Sequence, residues 1–440
     1  MRSKLRCPVV SVAGLTAHKV KHLQPFHDWL CRTAASSNLT STTRIQQRKN
    51  DRRTIMFRIF VPGAPSYALC AAVLSVFICT GIGQAAPTAT CTKQVVAPDS
   101  IQAAIDAAQP GATVCVGPGI YQENLLIAKD GITLKGEGPE KTVLEPPAAP
   151  RPFCPVLNIA PVGDENFGLN GICVADLDSQ GKVRRTVNDV RVTGFTVRDF
   201  SGVGILFGGT NRARADHNVA ANNSSYGITA FVSTHGVFEY NTSYGSGDAG
   251  FYVGNSPYAD FKVRYNAAFA DLWGILVRDA SMGSVTDNLL HDSCSGLVFL
   301  NTGTTTGVHN WRASHNIVAH NDKFCSAEAT ELPFSLTGVG ILIGGADHIV
   351  LRENRVLNNH PGGEPSLIND VPLAGGIVVV STANVSVFPG FYGDVAEHNI
   401  IVDNAVRDNH RFDLVYDGMG TGNHFISNTC DTSTPRRLCR

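Results

Sequence analysis

Arg278 is the residue with the most chemical promise in this chain. In the stretch GILVRD the side chains of an extended strand alternate between faces, so Ile275 and Val277 turn inward and Leu276 and Arg278 outward. The same strand position one unit earlier carries Tyr252 and Gly254, and the glycine is expected to leave space beside the guanidinium. An arginine in such a cleft neutralises a carboxylate, and a nearby Tyr or Lys can take the proton from the adjoining carbon. Arg278 and Tyr252 are therefore the candidate catalytic pair. Lys262 and Arg264, outward on a neighbouring strand and a different face, and Asp417, at the end of the last unit, are the candidate substrate-binding residues. A plainer reading competes. The other outward positions of this strand are mostly apolar, and the insertions 301–311, 323–339, 361–374 and 381–395 flank it, as loops do when they cover an apolar strip.

A second row has metal-ligand chemistry. His217, Tyr240, Tyr265, Asp287, His315, Glu353 and His398 each stand just before a recurring asparagine. Stacked at the ~4.8 Å strand spacing, Asp287, His315, Glu353 and His398 would form a column suited to a divalent metal or an acid–base pair. Exposed polar residues at turns are common, so a solvated edge is preferred and no metal or other cofactor is assigned.

Both rows presuppose a repeat. From about Val187 to Asp417 a short apolar strand, an Asn, a few small residues and a Gly opening another strand follow one another again and again. The markers are Asn218, Asn241, Asn266, Asn288, Asn316, Asn354 and Asn399, and where no loop intervenes they recur every 22 to 25 residues. Beside the inward positions after each glycine, two more apolar columns flank the asparagines: Ala215 to Ala396 three residues before, and Ala220 to Ile401 two residues after. Three inward columns imply three strands per turn. The expected fold is all-β, a right-handed parallel β-helix (a solenoid) whose coils bury one another's faces. The asparagines would form a hydrogen-bonded ladder in one bend, adopting the left-handed conformation there.

The ends read differently. Residues 1–55 are basic and aperiodic, either an unusually long leader or a start placed too early, and the second is preferred. Residues 56–85 have the positive start, apolar core and small residues of a secretory signal. Residues 86–440 are expected to form one domain, secreted, with no stable membrane span once the signal is cleaved. Its first helix, from Asp99-Ser100 to Pro110-Gly111, would cap the open first coil. The full chain has 36 Lys/Arg against 37 Asp/Glu, but residues 1–85 hold 12 of the former and 2 of the latter. That leaves 24 against 35, a net charge of −11, which argues against nucleic acid as a partner. Eight of the 12 cysteines follow the leader, in the local couples Cys91/Cys115, Cys154/Cys173, Cys294/Cys325 and Cys430/Cys439. An even count outside the cytosol reads as disulfides.

SIQAAIDAAQPGATVCVGPGIYQENLLI…GITLKGEG resembles the opening of pectinesterases, and the Asn-and-Gly coils resemble the right-handed β-helix family of the pectin-lyase-like superfamily. The resemblance covers roughly residues 91–430 and is specific for fold rather than activity. It implies a secreted protein that binds or processes extracellular polysaccharide; an enzyme of this kind would be a lyase or a C5-epimerase. The catalytic signatures of pectinesterases, polygalacturonases, pectate lyases and mannuronan epimerases are absent, so no catalytic residue carries over. A copper-accessory role is disfavoured because Met282 and Met419 are the only methionines after the leader. The alternative is a non-enzymatic structural or surface-interaction protein. An open groove holding Arg278 and Tyr252 favours the first class, and an outer face sealed by the loops favours the second. The pattern assigns no oligomeric state.

Overall fold

A computed structural model describes residues 90–439 apart from 160–162, 331 and 389–390. The expected leader and signal segments, residues 1–55 and 56–85, lie outside the described residues. From Lys93 onward the chain winds through three parallel sheets of 12, 10 and 11 strands, here sheets A, B and C. One turn illustrates the rest: Arg214–Asp216 lies in A, Val219–Ala221 in B and Ile228–Phe231 in C. Each strand pairs in parallel with its equivalent one coil before and one coil after. The two remaining sheets of a coil serve as the crossover that parallel strands need.

The interior is the three expected columns. Ala215, Phe238, Val263, Val285, Ala313 and Leu351 stack in register in A, and Ala220, Ser243, Ala268, Leu290, Val318 and Val356 in B, all buried. The inward pairs of C, from Ile205/Phe207 to Ile377/Val379, complete the core. The coil-opening glycines recur because the backbones of successive coils nearly touch there. A Cβ on Gly227 would lie 2.5 Å from the Gly250 carbonyl oxygen, and one on Gly274 2.6 Å from that of Gly296.

The asparagine ladder between A and B is present, with two corrections. Asn218 donates from Nδ2 to the Asn241 Oδ1 (3.1 Å), which also accepts from the Asn218 backbone N–H (3.0 Å). Asn241 Nδ2 in turn donates to the Ala215 carbonyl (2.9 Å), and the pattern runs through Asn266, Asn288, Asn316 and Asn354. The next rung is Asn404, not Asn399 (Asn354 Nδ2 to Asn404 Oδ1, 3.0 Å). The long 381–395 insertion precedes two asparagines five residues apart, and sequence spacing alone chose the wrong one. Ile401 and Val406 therefore continue the two columns, rather than Ala396 and Ile401. The left-handed residue is also not the asparagine but the one before it: His217, Tyr240, Tyr265, Asp287, His315, Glu353 and Asp403 all have φ between 55° and 57°. Their strained backbone turns the corner, and the asparagine side chain supplies the hydrogen bonds that hold it.

A second ladder in the bend from B to C escaped the sequence reading. Asn321, Asn359 and Asn409 bond in series and end on Asp413, while Ser246, Asp271 and Ser293 interrupt the column in the middle coils. At the start, helix α1 (Ile101–Ala107) has Ser100 as its N-cap, accepting from the Ala103 N–H at 3.1 Å. The Glu123 carboxylate takes the Ile101 and Gln102 N–H groups. Ile101 and Ile105 are buried over the first coil, the expected capping position. All four cysteine couples are disulfides. No helix among the described residues is long and apolar enough to cross a membrane.

Candidate functional site

The outer face of sheet C is where the sequence placed its chemistry, and it is largely covered. Loops from residues 154–175 and 323–339 lay Leu157, Phe167, Phe334 and Leu336 over Leu206, Phe231, Leu276, Val298 and Leu342, making a second apolar core outside the first. The expected covering of an apolar strip is what the fold contains. Over the middle coils a cleft of about 420 Å³ remains. Its lining includes Arg278, Asp248, Trp273, Tyr226, Ser201, Ser224 and Ser225.

Arg278 sits at the base of this cleft, 8% exposed, on the strand Trp273–Ala280. Its guanidinium lies over the ring of Tyr252 at 5.4 Å, a cation–π contact across one coil. Tyr252 itself is fully buried and does not line the cleft. Its ring packs on Tyr226 and Phe231, each with centroids 4.7 Å away. Gly254 does not leave space for a ligand: a Cβ there would overlap the Tyr252 hydroxyl, so the glycine makes room for the phenol. Arg278 and Tyr252 are thus brought together as expected, but only the arginine faces the cleft. Beside them Asp279 is buried in the bend from C to A, where its Oδ1 accepts the Thr302 N–H at 2.9 Å. Burial raises its carboxyl pKa and the Arg278 charge opposes that rise.

Trp273 was not foreseen. It is 4% exposed, and its indole N–H has no hydrogen-bond partner among the described residues. Its register neighbour Ser295 is buried with a hydroxyl equally without one. Parity explains the oversight. Trp273 is two residues before the inward Ile275, so strict alternation turns it inward; the alternation fails across Gly274, and its ring joins the outer cluster. The cleft is therefore lined by a cation, a carboxylate, hydroxyls and a tryptophan whose indole N–H has no partner among the described residues. These groups suit a small ligand rich in hydroxyls and bearing an anionic group.

The remaining candidates lie elsewhere. Lys262 and Arg264 are on the outer face of sheet A, Lys262 exposed and Arg264 donating to Glu239 at 2.7 Å. Asp417 Oδ2 accepts from the Ser381 N–H (2.6 Å) and Asn369 Nδ2 (2.9 Å), tying two loops together. In the polar row, His315 Nε2 and Glu353 Oε2 are 2.7 Å apart, and the histidine holds the Glu353 carboxyl below its ordinary range. His398 is not in that row; by the register correction above it belongs to the bend from C to A, stacked on His348 at 5.0 Å. Among the described residues no three His, Cys, Asp or Glu side chains converge as metal ligands would, Asp287 included.

Residues 165–324 match the family model for the right handed beta helix region. No curated protein matches the chain. Among solved structures it is similar to the A-module of a mannuronan C-5 epimerase from Azotobacter vinelandii, at 19% identity over 76% of this chain and 89% of that one, TM-score 0.47. It is similar to an alginate lyase from a Paenibacillus species, at 12% identity over 75% and 100%, TM-score 0.48. A family 28 exopolygalacturonase from Yersinia enterocolitica gives 13% identity over 78% of each chain, TM-score 0.45. These likenesses concern fold alone. With three parallel sheets per turn, an asparagine ladder in the bend and a stretch matching the right handed beta helix region, the chain folds as a right-handed parallel β-helix.

Proposed function

We propose that the protein is exported and binds an extracellular acidic polysaccharide, holding one uronate residue in the cleft over sheet C. One observation carries the reading: a tryptophan whose buried indole N–H has no partner among the described residues lines the same small cleft as a buried arginine. Leaving such a donor unpaired costs about 1–3 kcal/mol, which a sugar oxygen would recover on binding. Arg278 would pair the carboxylate, and the serines would take ring hydroxyls. Binding is preferred to lyase or epimerase chemistry because Tyr252, the proposed base, is sealed beneath the arginine. The four disulfides agree with export.

The test is a titration of the purified protein with short uronate oligosaccharides and their neutral counterparts, read by tryptophan fluorescence and calorimetry. Arg278→Ala is expected to weaken uronate binding by about 10- to 100-fold, the worth of a charge-assisted hydrogen bond. Trp273→Phe should weaken it several-fold. Equal affinity for the neutral sugars, or indifference to both substitutions, overturns the assignment. The loop-sealed outer face favours a second reading, a non-enzymatic scaffold in which the loops simply complete a second core. No saccharide binding at the cleft would support it.

A further inference from the structure

The outer face of sheet A, unlike that of sheet C, is rich in cations. Lys135, Arg191, Arg214, Lys262, Arg264 and Arg312 occupy outward positions in two adjoining rows, with Val237/Glu239 and Ser284/Thr286 in the two coils of that span that carry no cation. Only two carboxylates share those rows in these coils, Asp216 and Glu239, and both are buried beneath the arginines. Asp216 accepts from Arg191 (2.6 Å to each oxygen) and from Arg214 Nε (3.0 Å); Glu239 takes Arg214 and Arg264. Each of the three guanidinium side chains stays 41–42% exposed. The buried carboxylates therefore fix the arginines in place, with part of each fork facing solvent. Lys262 and Arg312 are exposed and form no ion pair among the described residues. Along one margin runs a stack of His217, Tyr240 and Tyr265, with ring centroids 5.2 and 5.0 Å apart and both tyrosines nearly half exposed. Of the acidic residues at the margins, Glu137 and Glu140 flank the coil of Lys135, Asp287 follows the tyrosines, Asp189 is paired with Arg212, and Asp260 lies 3.9 Å from His235.

We infer that this strip is a docking surface for an extended acidic polysaccharide lying along the coil axis. The argument is charge complementarity. In a chain with a net charge of −11 beyond its first 85 residues, six cations against two buried anions on one flat face make a local reversal of sign. Cations set one or two coils apart along the axis suit a ligand that carries charge along its length. The tyrosine margin offers phenol hydroxyls and ring edges to sugar hydroxyls. A nucleic-acid duplex fits less well, because a flat three-sided prism presents no helix or ribbon to a groove. The inference does not depend on the cleft of sheet C, since the two faces are on different sheets.

The experiment measures binding of sodium polygalacturonate to the whole protein across a salt series, with a DNA duplex as control. Lys262→Ser/Arg312→Ser is the chosen variant, because neither residue holds the fold by an ion pair. Its affinity for the polymer is expected to fall by about tenfold, with a shallower dependence on salt, as counterion release from a polyanion requires. Binding of short oligosaccharides at the Arg278 cleft should not move, whereas Arg278→Ala should spare the salt-dependent polymer binding. Unchanged polymer affinity in the double variant overturns the inference. So does duplex DNA bound as tightly as the polymer and lost in the same variant, which would make the partner nucleic acid.

Discussion

Asp271 shows how one atom can set the pH behaviour of a coil. It stands in the second ladder, where Asn321, Asn359 and Asn409 sit in later coils. Its Oδ1 accepts the Ser246 N–H at 2.7 Å, but its Oδ2 has no hydrogen-bond partner among the described residues. An asparagine there would present an amide donor; an ionised aspartate presents a buried charge. Burial accordingly pushes its pKa up to about 7, against an opposing pull from Lys323. In the unfolded chain the same group titrates near 4. A raised folded pKa means that this site's stability is greatest below the unfolded value, declines as pH rises, and is lost once pH passes the folded value. The full effect is on the order of 4 kcal/mol as an upper bound. Asp271→Asn is expected to remove the decline between about pH 4 and 7 and to raise the denaturant midpoint at neutral pH. Parallel denaturation curves for variant and parent across that range would remove Asp271 as the cause. Asp216 works in the opposite direction: hydrogen bonds from Arg191 and His217 depress its pKa despite burial, so its contribution is lost as pH falls below about 4.

The bend between sheets A and B is the element on which the repeat depends. Replacing Asn288 by Ala would leave the Asn266 N–H without its acceptor in a dry interior and take one donor from the Val263 carbonyl. At about 1–3 kcal/mol for the orphaned N–H, Asn288→Ala should cost roughly that much. Urea denaturation measures this, and a loss under 1 kcal/mol would mean that the left-handed corner stands without the ladder. The same element shows what can be read from a sequence and what cannot. Asn218 to Asn354 are legible because their spacing is set by short, loop-free coils or by the strand that follows. Asn404 was missed because a 15-residue insertion erased the count and Asn399 offered an equally good rung. The second ladder was illegible because Ser246, Asp271 and Ser293 replace asparagine in the very coils that define the period. Arg278 and Tyr252 were found from alternation alone, and Trp273 was lost because that alternation fails across Gly274. Whether a polar residue faces a cleft or a wall, as Arg278 and Tyr252 do in turn, is decided by loops distant in sequence.

At the scale of the whole solenoid, each coil touches only its neighbours, so stability should be local along the axis. The end covered by helix α1 offers the sharpest test. Ile101 and Ile105 shield the first coil, whose own interior residues Val95, Val114, Val116 and Leu125 would otherwise meet water. Burying an unpaired charge at this point costs several kcal/mol, so Ile105→Asp should release the helix and fray the strands beneath it. The disulfide from Cys91 to Cys115 joins the first two strands of sheet A and should keep that fraying from opening the edge fully. Hydrogen exchange is then expected to lose protection in residues 93–136 while the Asn218 to Asn404 coils keep theirs. The uncovered edge strands should also make the variant associate as concentration rises, because an open sheet end pairs with another. Loss of protection spread evenly over every coil would instead mean that the solenoid unfolds as one cooperative body, and the nearest-neighbour account of its stability would fail.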